Sequence, residues 1–517
     1  MIASIISFTT CSINEPDEPA NQKTHYTEQY RPQFHFSPDS MWMNDPNGMV
    51  YYEGEYHLFY QYHPHSNVWG PMHWGHAIST DLVHWEHLPV ALYPDNLGTI
   101  FSGSAVIDWN NSSGLGSSAN PPMVAIFTHH NQKLAEEGSL KFQNQSIAYS
   151  LDKGRSWSKY PGNPVLHNPG IRDFRDPKVS WYEAGQKWIM VFAAQDRIMF
   201  YSSPNLIQWT RESEFTAELA EDEGVWECPD FFPLKYGEEE KWVLFVSISG
   251  GGPNGGSGTK YYLGDFDGSE FICDDPSGIA RWLDYGKDNY AGVTWSDIPS
   301  EDGRRIFLGW MSNWQYAGHV PSECWRSAMT LPRELKLEKH EQAYMLSSIP
   351  VLETEQLRTG KFKLEPGAVK DRNDVGPSID DDFPLYEIDL VFELDADEEE
   401  EIEFGIILES GQNEKLVAAF NTQTQELTIA RHESGKTDFS VHFPGIHTAP
   451  YQLSKDGEIR FHAFIDLSSI ELFVDQGKLV MIELCFPESG FEKISLYSNK
   501  DSVKLSKGTI YSLKSVW

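Results

Sequence analysis

Tyr56-His57-Leu58-Phe59-Tyr60 is a short run of aromatic and aliphatic residues flanked by Gly54 and Pro64, and runs like it recur along the chain. Such runs are too short for helices and are bounded by turn-formers, which marks them as strands. The others are Met123-Val124-Ala125-Ile126-Phe127, Trp188-Ile189-Met190-Val191-Phe192, Trp242-Val243-Leu244-Phe245-Val246 and Arg305-Ile306-Phe307-Leu308-Gly309, with successive starts 54 to 67 residues apart. A second signature follows three of them: Ser79-Thr80-Asp81-Leu82 running to Trp85, Ser150-Leu151-Asp152 to Trp157, and Ser203-Pro204-Asn205-Leu206 to Trp209. A repeat this long, in units of several strands, predicts an all-β propeller with one blade per repeat. Five repeats predict five blades over about residues 34–340. A β-sandwich would supply strands without the long period.

From about 341 the texture changes. Residues 341–384 read as a linker region, and Pro366-Gly367 through Asp380-Asp381-Asp382 have loop composition. Beyond it, alternating runs such as Tyr386-Glu387-Ile388-Asp389-Leu390-Val391-Phe392 and Ile470-Glu471-Leu472-Phe473-Val474 predict a β-sandwich over 385–517. The run Asp397 to Glu401 reads as a solvated turn. Residues 1–33 read as a leader and polar linker. Within them Cys11 follows the apolar stretch Met1 to Phe8 and precedes an acidic run, so the segment resembles the end of a bacterial lipoprotein signal with Cys11 as lipid anchor. Phe8-Thr9-Thr10 and the missing positive n-region depart from that pattern. No later stretch is long and apolar enough to cross a bilayer.

The 517 residues carry 40 Lys+Arg against 76 Asp+Glu, a formal charge of −36. That balance disfavours nucleic acid and other polyanions as partners and suits a neutral ligand. Aromatics reach 13%, with 17 Trp, a composition that serves β cores and sugar-stacking surfaces alike. Five scattered cysteines form neither a disulfide framework nor a zinc pattern. His63-Pro64-His65, His73/His76 and His129-His130 lack a third ligand at metal spacing, so neither metal nor cofactor is expected. The loop Gly250 to Gly256 lacks the Lys-Ser/Thr of a phosphate loop and is expected as a flexible loop near a pocket mouth.

Three acidic neighbourhoods precede three of the marker strands: Trp42-Met43-Asn44-Asp45-Pro46-Asn47-Gly48, Arg175-Asp176-Pro177 and Trp226-Glu227-Cys228-Pro229-Asp230. Asp45 lies 11 residues before Tyr56, Asp176 12 before Trp188 and Glu227 15 before Trp242. In the second and fifth repeats the corresponding places read Phe101-Ser102-Gly103-Ser104 and Asp284-Tyr285-Gly286. Equivalent positions of a propeller line its channel, so three carboxylates are expected in one funnel. Paired carboxyls of opposed protonation are the requirement of glycoside hydrolysis. Asp45, within the amides of a turn, suits a nucleophile. Glu227, in apolar company, suits the protonated acid, and Arg175 is expected to hold Asp176 charged.

These motifs, in this order, resemble glycoside hydrolase family 32, the invertases, inulinases and levanases that act on β-fructosides. The resemblance runs from about residue 34 to the C-terminus. It includes Phe59-Tyr60-Gln61-Tyr62, His73-Trp74-Gly75-His76-Ala77, Gly309-Trp310-Met311, Leu331-Pro332-Arg333-Glu334-Leu335 and, in the second domain, Asp466 to Phe473. It implies a five-bladed propeller followed by a sandwich, with Asp45 as nucleophile, Glu227 as acid/base and Asp176 as transition-state stabiliser. It also implies that Asn44, Gln61, Trp69, Phe101, Ser102, Arg175, Tyr285 and Trp310 shape a fructose pocket, and that the reaction retains configuration. Asp288-Asn289-Tyr290-Ala291 departs from relatives with Phe before the Tyr, which is expected to alter the pocket rim. The expected substrate is levan or inulin, with sucrose also open, at an extracellular or cell-surface location. Two alternatives fit the same residues: an inverting arabinan or xylan hydrolase, and a non-catalytic glycan-binding surface protein.

Overall fold

Each of the five marker runs is the second strand of its own antiparallel sheet in the computed structural model, which describes residues 26–217, 224–275, 280–340, 343–376, 384–394 and 400–517. Cys11 and part of the acidic run at 397–401 lie outside the described residues. The innermost strands of the five sheets are Met41–Tyr52, Thr99–Ile107, Phe174–Tyr182, Trp226–Tyr236 and Tyr290–Thr294, each followed by the marker strand and then by the outer strands. The Ser-x-Asp/Asn signature closes the third strand of three sheets. There Asp81, Asp152 and Asn205 accept backbone N–H groups from the residues that follow, the side-chain turn that short polar residues favour.

The marker strands are apolar on both sides because each is covered twice. Along Lys187–Ala194, Met190 and Phe192 pack with Val124 and Ile126 of the preceding sheet. Ile189 and Val191 pack with Leu244 and Val246 of the next. This is the period-two alternation of a strand put to use on both faces. The fourth sheet meets the fifth through Phe245 and Phe307, and the first meets the second through Phe59 and Phe127. The fifth returns to the first through Trp42, Leu58, Tyr290 and Leu308, so the ring of sheets closes on itself.

Every innermost strand also loses register with its partner at one corresponding place. The breaks fall between Asn44 and Pro46, between Ile100 and Gly103, between Arg175 and Lys178, between Glu227 and Asp230, and between Tyr290 and Val293. Such bulges insert unpaired residues and re-aim side chains. Pro177 and Pro229 lie inside two of them and Pro46 directly follows a third, tolerated because the innermost strand needs few ladder N–H groups. Asp176, Cys228 and Ala291 take positive φ (64°, 43° and 53°).

The second part is a sandwich of a seven-stranded and a six-stranded sheet, with Ile388, Phe392, Phe404, Leu416, Phe461 and Ile470 buried between them. The structure differs from the linker expected over 341–384. Ala343–Pro350 completes the fifth sheet, Arg358–Leu364 and Gly367–Ala368 pair with Val503–Leu513, and Asp371–Val375 pairs with Lys493–Ser498. Buried polar contacts dock the sandwich on the ring. His35 bridges Asp466 (2.8 Å) and Glu471 (3.0 Å), and Arg431 contacts Asp288 and Glu483. The Gly250–Gly256 loop belongs to this seam. Asn254 bonds the Tyr285 and Thr448 backbones, and the loop does not line the cavity described next.

Candidate active site

The bulges of the first four sheets line one end of the ring, where a cavity of about 460 Å³ opens, and Tyr290 of the fifth bulge touches its wall through Glu227. The wall includes Asp45, Asp176 and Glu227 together with Asn44, Gln61, Trp69, Phe101, Ser102 and Arg175. Three sheets therefore bring their carboxylates into one space, as the spacing anticipated.

Asp45 is held by side chains and not by the turn amides expected of it. Asn44 Nδ2 donates to Oδ1 (3.0 Å), and Ser102 Oγ donates to Oδ2 (2.8 Å). Cys228 Sγ lies 3.4 Å from that same Oδ2 and 3.7 Å from Asp176 Oδ2. The oxygens of the two aspartates are therefore no further apart than the sum of those distances. Burial raises the Asp45 pKa. The bonds from Asn44, Ser102 and Cys228 oppose the shift, and the Glu227 charge adds to it.

Asp176 accepts the Cys228 N–H (3.1 Å) and donates its own N–H to Thr128 Oγ1 (3.0 Å). Burial pushes its pKa up to about 7; Arg175 pulls it down, while Glu227 and Asp45 push it up. This corrects the expectation that Arg175 keeps Asp176 ionised. The guanidinium is turned elsewhere: Nη2 donates to Glu227 Oε1 (2.8 Å) and Nη1 to Asp173 Oδ1 (2.6 Å), while Nε stands 3.8 Å from Asp176. The Tyr290 hydroxyl donates to the other Glu227 oxygen, Oε2. Glu227 is thus gripped at both ends by neighbours from two other sheets.

Around the carboxylates, Gln61 is buried with its Nε2 unpartnered, and Trp69 is 47% exposed at the rim with its edge toward Phe101. Two predicted residues lie elsewhere. Tyr285 packs against the sandwich core, its N–H bonded to the Val480 carbonyl (2.8 Å), because Asp284 to Gly286 precede the fifth inner strand and form the seam. Trp310 is fully buried beneath the site, 4.9 Å from the Trp314 ring, which does reach the cavity. Trp314, Cys228 and Tyr290 were missed as site residues, and for Tyr290 the sequence holds a signal. Tyr290 lies 15 residues before Arg305, the same interval as from Glu227 to Trp242, so counting back from the marker strand finds it.

In the histidine runs His76 stacks on Phe59 (4.0 Å) and His129 bonds Ser146 (2.7 Å), while His130 lines the cavity wall, stacked on Phe101 (4.3 Å). Among the described residues no His/Cys/Asp/Glu group is arranged to hold a metal, and no helix is long and apolar enough to cross a membrane.

Residues 35–348 match the family described as "Glycosyl hydrolases family 32 N-terminal domain", and residues 353–512 match its C-terminal counterpart. The chain is 47% identical to a levanase of Bacillus subtilis over 523 residues, covering all of this chain and 75% of that one. It is 35% identical to an extracellular exo-inulinase of Aspergillus awamori, covering 95% and 96%. The crystal structure of exo-inulinase from that organism superposes with a TM-score of 0.85 at 34% identity, covering 95% of this chain and all of the other.

Proposed function

This chain belongs to glycosyl hydrolase family 32, and on that premise we propose that Asp45, Glu227 and Asp176 divide the cleavage of a fructoside between them. The protein is a hydrolase of β-fructosidic bonds in fructans. Each of the five sheets is one blade, and the propeller runs from about residue 34 to Pro350, the last residue of the fifth sheet. Asp45 is the nucleophile. Its donors Asn44, Ser102 and Cys228 are all neutral, so they orient the carboxylate without cancelling its charge. It attacks the anomeric carbon of a fructosyl unit and forms an ester, while Glu227 gives its proton to the leaving oxygen. Glu227 then takes a proton from the water that breaks the ester. Tyr290 and Arg175 fix the Glu227 carboxyl at its two oxygens. Asp176 and the free Gln61 amide grip sugar hydroxyls, and Trp69 and Phe101 border the ring. This path retains configuration and calls for carboxyls roughly 5–5.5 Å apart.

The observation that carries this reading is the placing of Cys228 between Asp45 and Asp176, one residue from Glu227, which gathers three acids from three sheets. Levan is the proposed polymer, from the 47% identity to a levanase along the whole chain. A time course of products from levan, inulin and sucrose tests it, with Glu227→Gln as control. Fructose from levan, absent in the variant, is expected; no release from any of the three would overturn the reading. The protein acts outside the cell, and we propose Cys11 as its lipid anchor. Cys11→Ser would then move it from the membrane fraction to the medium, and an unmodified protein already free in the medium would refute the anchor.

A further inference from the structure

The innermost strands have a second end, and a larger cavity opens there. Along Phe174–Tyr182, Trp181 follows Asp176 by five residues, roughly 15 Å of extended chain. Ile107 follows Ser102, and Phe232 follows Glu227, by the same count. Ile107, Trp181 and Phe232 line a cavity of about 530 Å³ that shares no residue with the catalytic one.

Its rim is aromatic and held in place. Trp109 is 54% exposed, with Nε1 bonded to Asp297 Oδ1 (2.8 Å). Trp181 stands edge-on to Trp188 (5.1 Å), with Nε1 bonded to Glu183 Oε2 (2.7 Å). Each indole is thus anchored at its nitrogen and presents carbon faces, which limits the ordering needed to bind.

The floor offers hydrogen-bond donors. Arg305 makes one long bond, to the Trp295 carbonyl (3.4 Å), and no ion pair within 4 Å among the described residues. The acids beside it are engaged: Asp230 by Lys178 (3.2 Å), the Phe231 N–H and the Thr294 N–H, and Asp297 by the Ile107 N–H and Trp109. Free guanidinium donors beneath fixed indoles suit a hydroxyl-rich ring. The four acids lining the cavity, Glu183, Asp230, Glu240 and Asp297, outnumber Lys178 and Arg305. In a chain of net charge −36 that balance turns phosphate and carboxylate ligands away.

We infer that this rear cavity is a second saccharide-binding site, which takes a neutral oligosaccharide or a segment of polymer while a chain end occupies the catalytic mouth. That the occupant is a fructan rests on the function proposed above; that it is a neutral sugar rests on the cavity alone.

The test uses the full chain with Glu227→Gln to stop turnover. Equilibrium titration with a fructo-oligosaccharide should give two classes of site per chain, and adding Trp109→Ala and Trp181→Ala should remove one. In the active enzyme the same two substitutions should leave 1-kestose hydrolysis unchanged, which also reports correct folding. They should raise the KM for levan about three- to tenfold, the worth of lost aromatic contacts. One class of site in the Glu227→Gln protein, or an unchanged levan KM in the double variant, overturns the inference. If no fructan is hydrolysed or bound, but gels containing a neutral glucan or xylan retard the protein in a Trp109- and Trp181-dependent way, the rear sugar site stands and the fructan reading falls.

Discussion

At the residue scale the site concentrates three carboxylates behind one thiol, and their roles separate by what touches them. Asp176 is held protonated in the folded chain up to about pH 7, against an ordinary value of 3.8. A carboxyl whose folded pKa is raised destabilises the fold increasingly as pH climbs between those values. Asp176→Asn should therefore stabilise the protein at pH 8 by on the order of 2–4 kcal/mol and not at all below pH 4. Thermal melts of both proteins across that range check this; equal gains at pH 4 and pH 8 would refute it. Tyr290→Phe removes a proton donor from Glu227 Oε2. It should lower kcat about 10- to 100-fold with little change in KM, and a pure KM effect in steady-state kinetics would make Tyr290 a binding residue instead. The three acids were legible because Asp-Pro and Glu-Cys-Pro stand 11 to 15 residues before a repeated strand. The partner of Arg175 was not. Adjacency to Asp176 pointed one way along the sequence, whereas the bulge directs the guanidinium across to Glu227.

At the element scale the repeated bulge is what turns a strand into a site. It was half-visible in the sequence: Pro46, Pro177 and Pro229 fall inside stretches that otherwise read as strand, which is where a bulge belongs. The second repeat has no Pro there and uses Gly103. A Cβ at Gly103 would meet the Ile126 carbonyl and Phe127 Cα (2.7 Å), both backbone. Gly103→Ala should thus destabilise by about 2–4 kcal/mol and displace neighbouring Ser102 from Asp45. Denaturant melts should show the loss, and an unchanged midpoint would mean that the second strand yields freely. Arg358–Leu364 went unread as a strand for a different reason. Its burial is almost nil along its length, and an exposed, charged edge strand carries no apolar alternation to detect.

At the scale of the whole molecule, two all-β parts are joined through charges taken out of water. Arg431 is fully buried with Asp288 of the ring and Glu483 of the sandwich, and Tyr316 bonds it as well (2.9 Å). Among the described residues, removing Arg431 leaves Asp288 without its cation and Glu483 with His447 alone to pair with, both still buried. Arg431→Leu should destabilise the protein by about 3–5 kcal/mol and split its unfolding into two steps; calorimetry showing one unshifted transition would contradict this. The repeat count and the change of texture near 341 made the two parts legible. The seam was not, because Asp284, Asp288 and Arg431 resemble surface residues until their partners are known.

In the proposed mechanism Asp45 forms a covalent bond to the sugar and Glu227 assists. Glu227→Gln protein, incubated with a fructoside bearing a good leaving group, quenched and digested, tests it by peptide mass spectrometry. One anhydrofructosyl unit is expected on the peptide that contains Asp45, at Asp45 itself. An adduct on Asp176, or none together with product of inverted configuration from the unmodified enzyme, would contradict it.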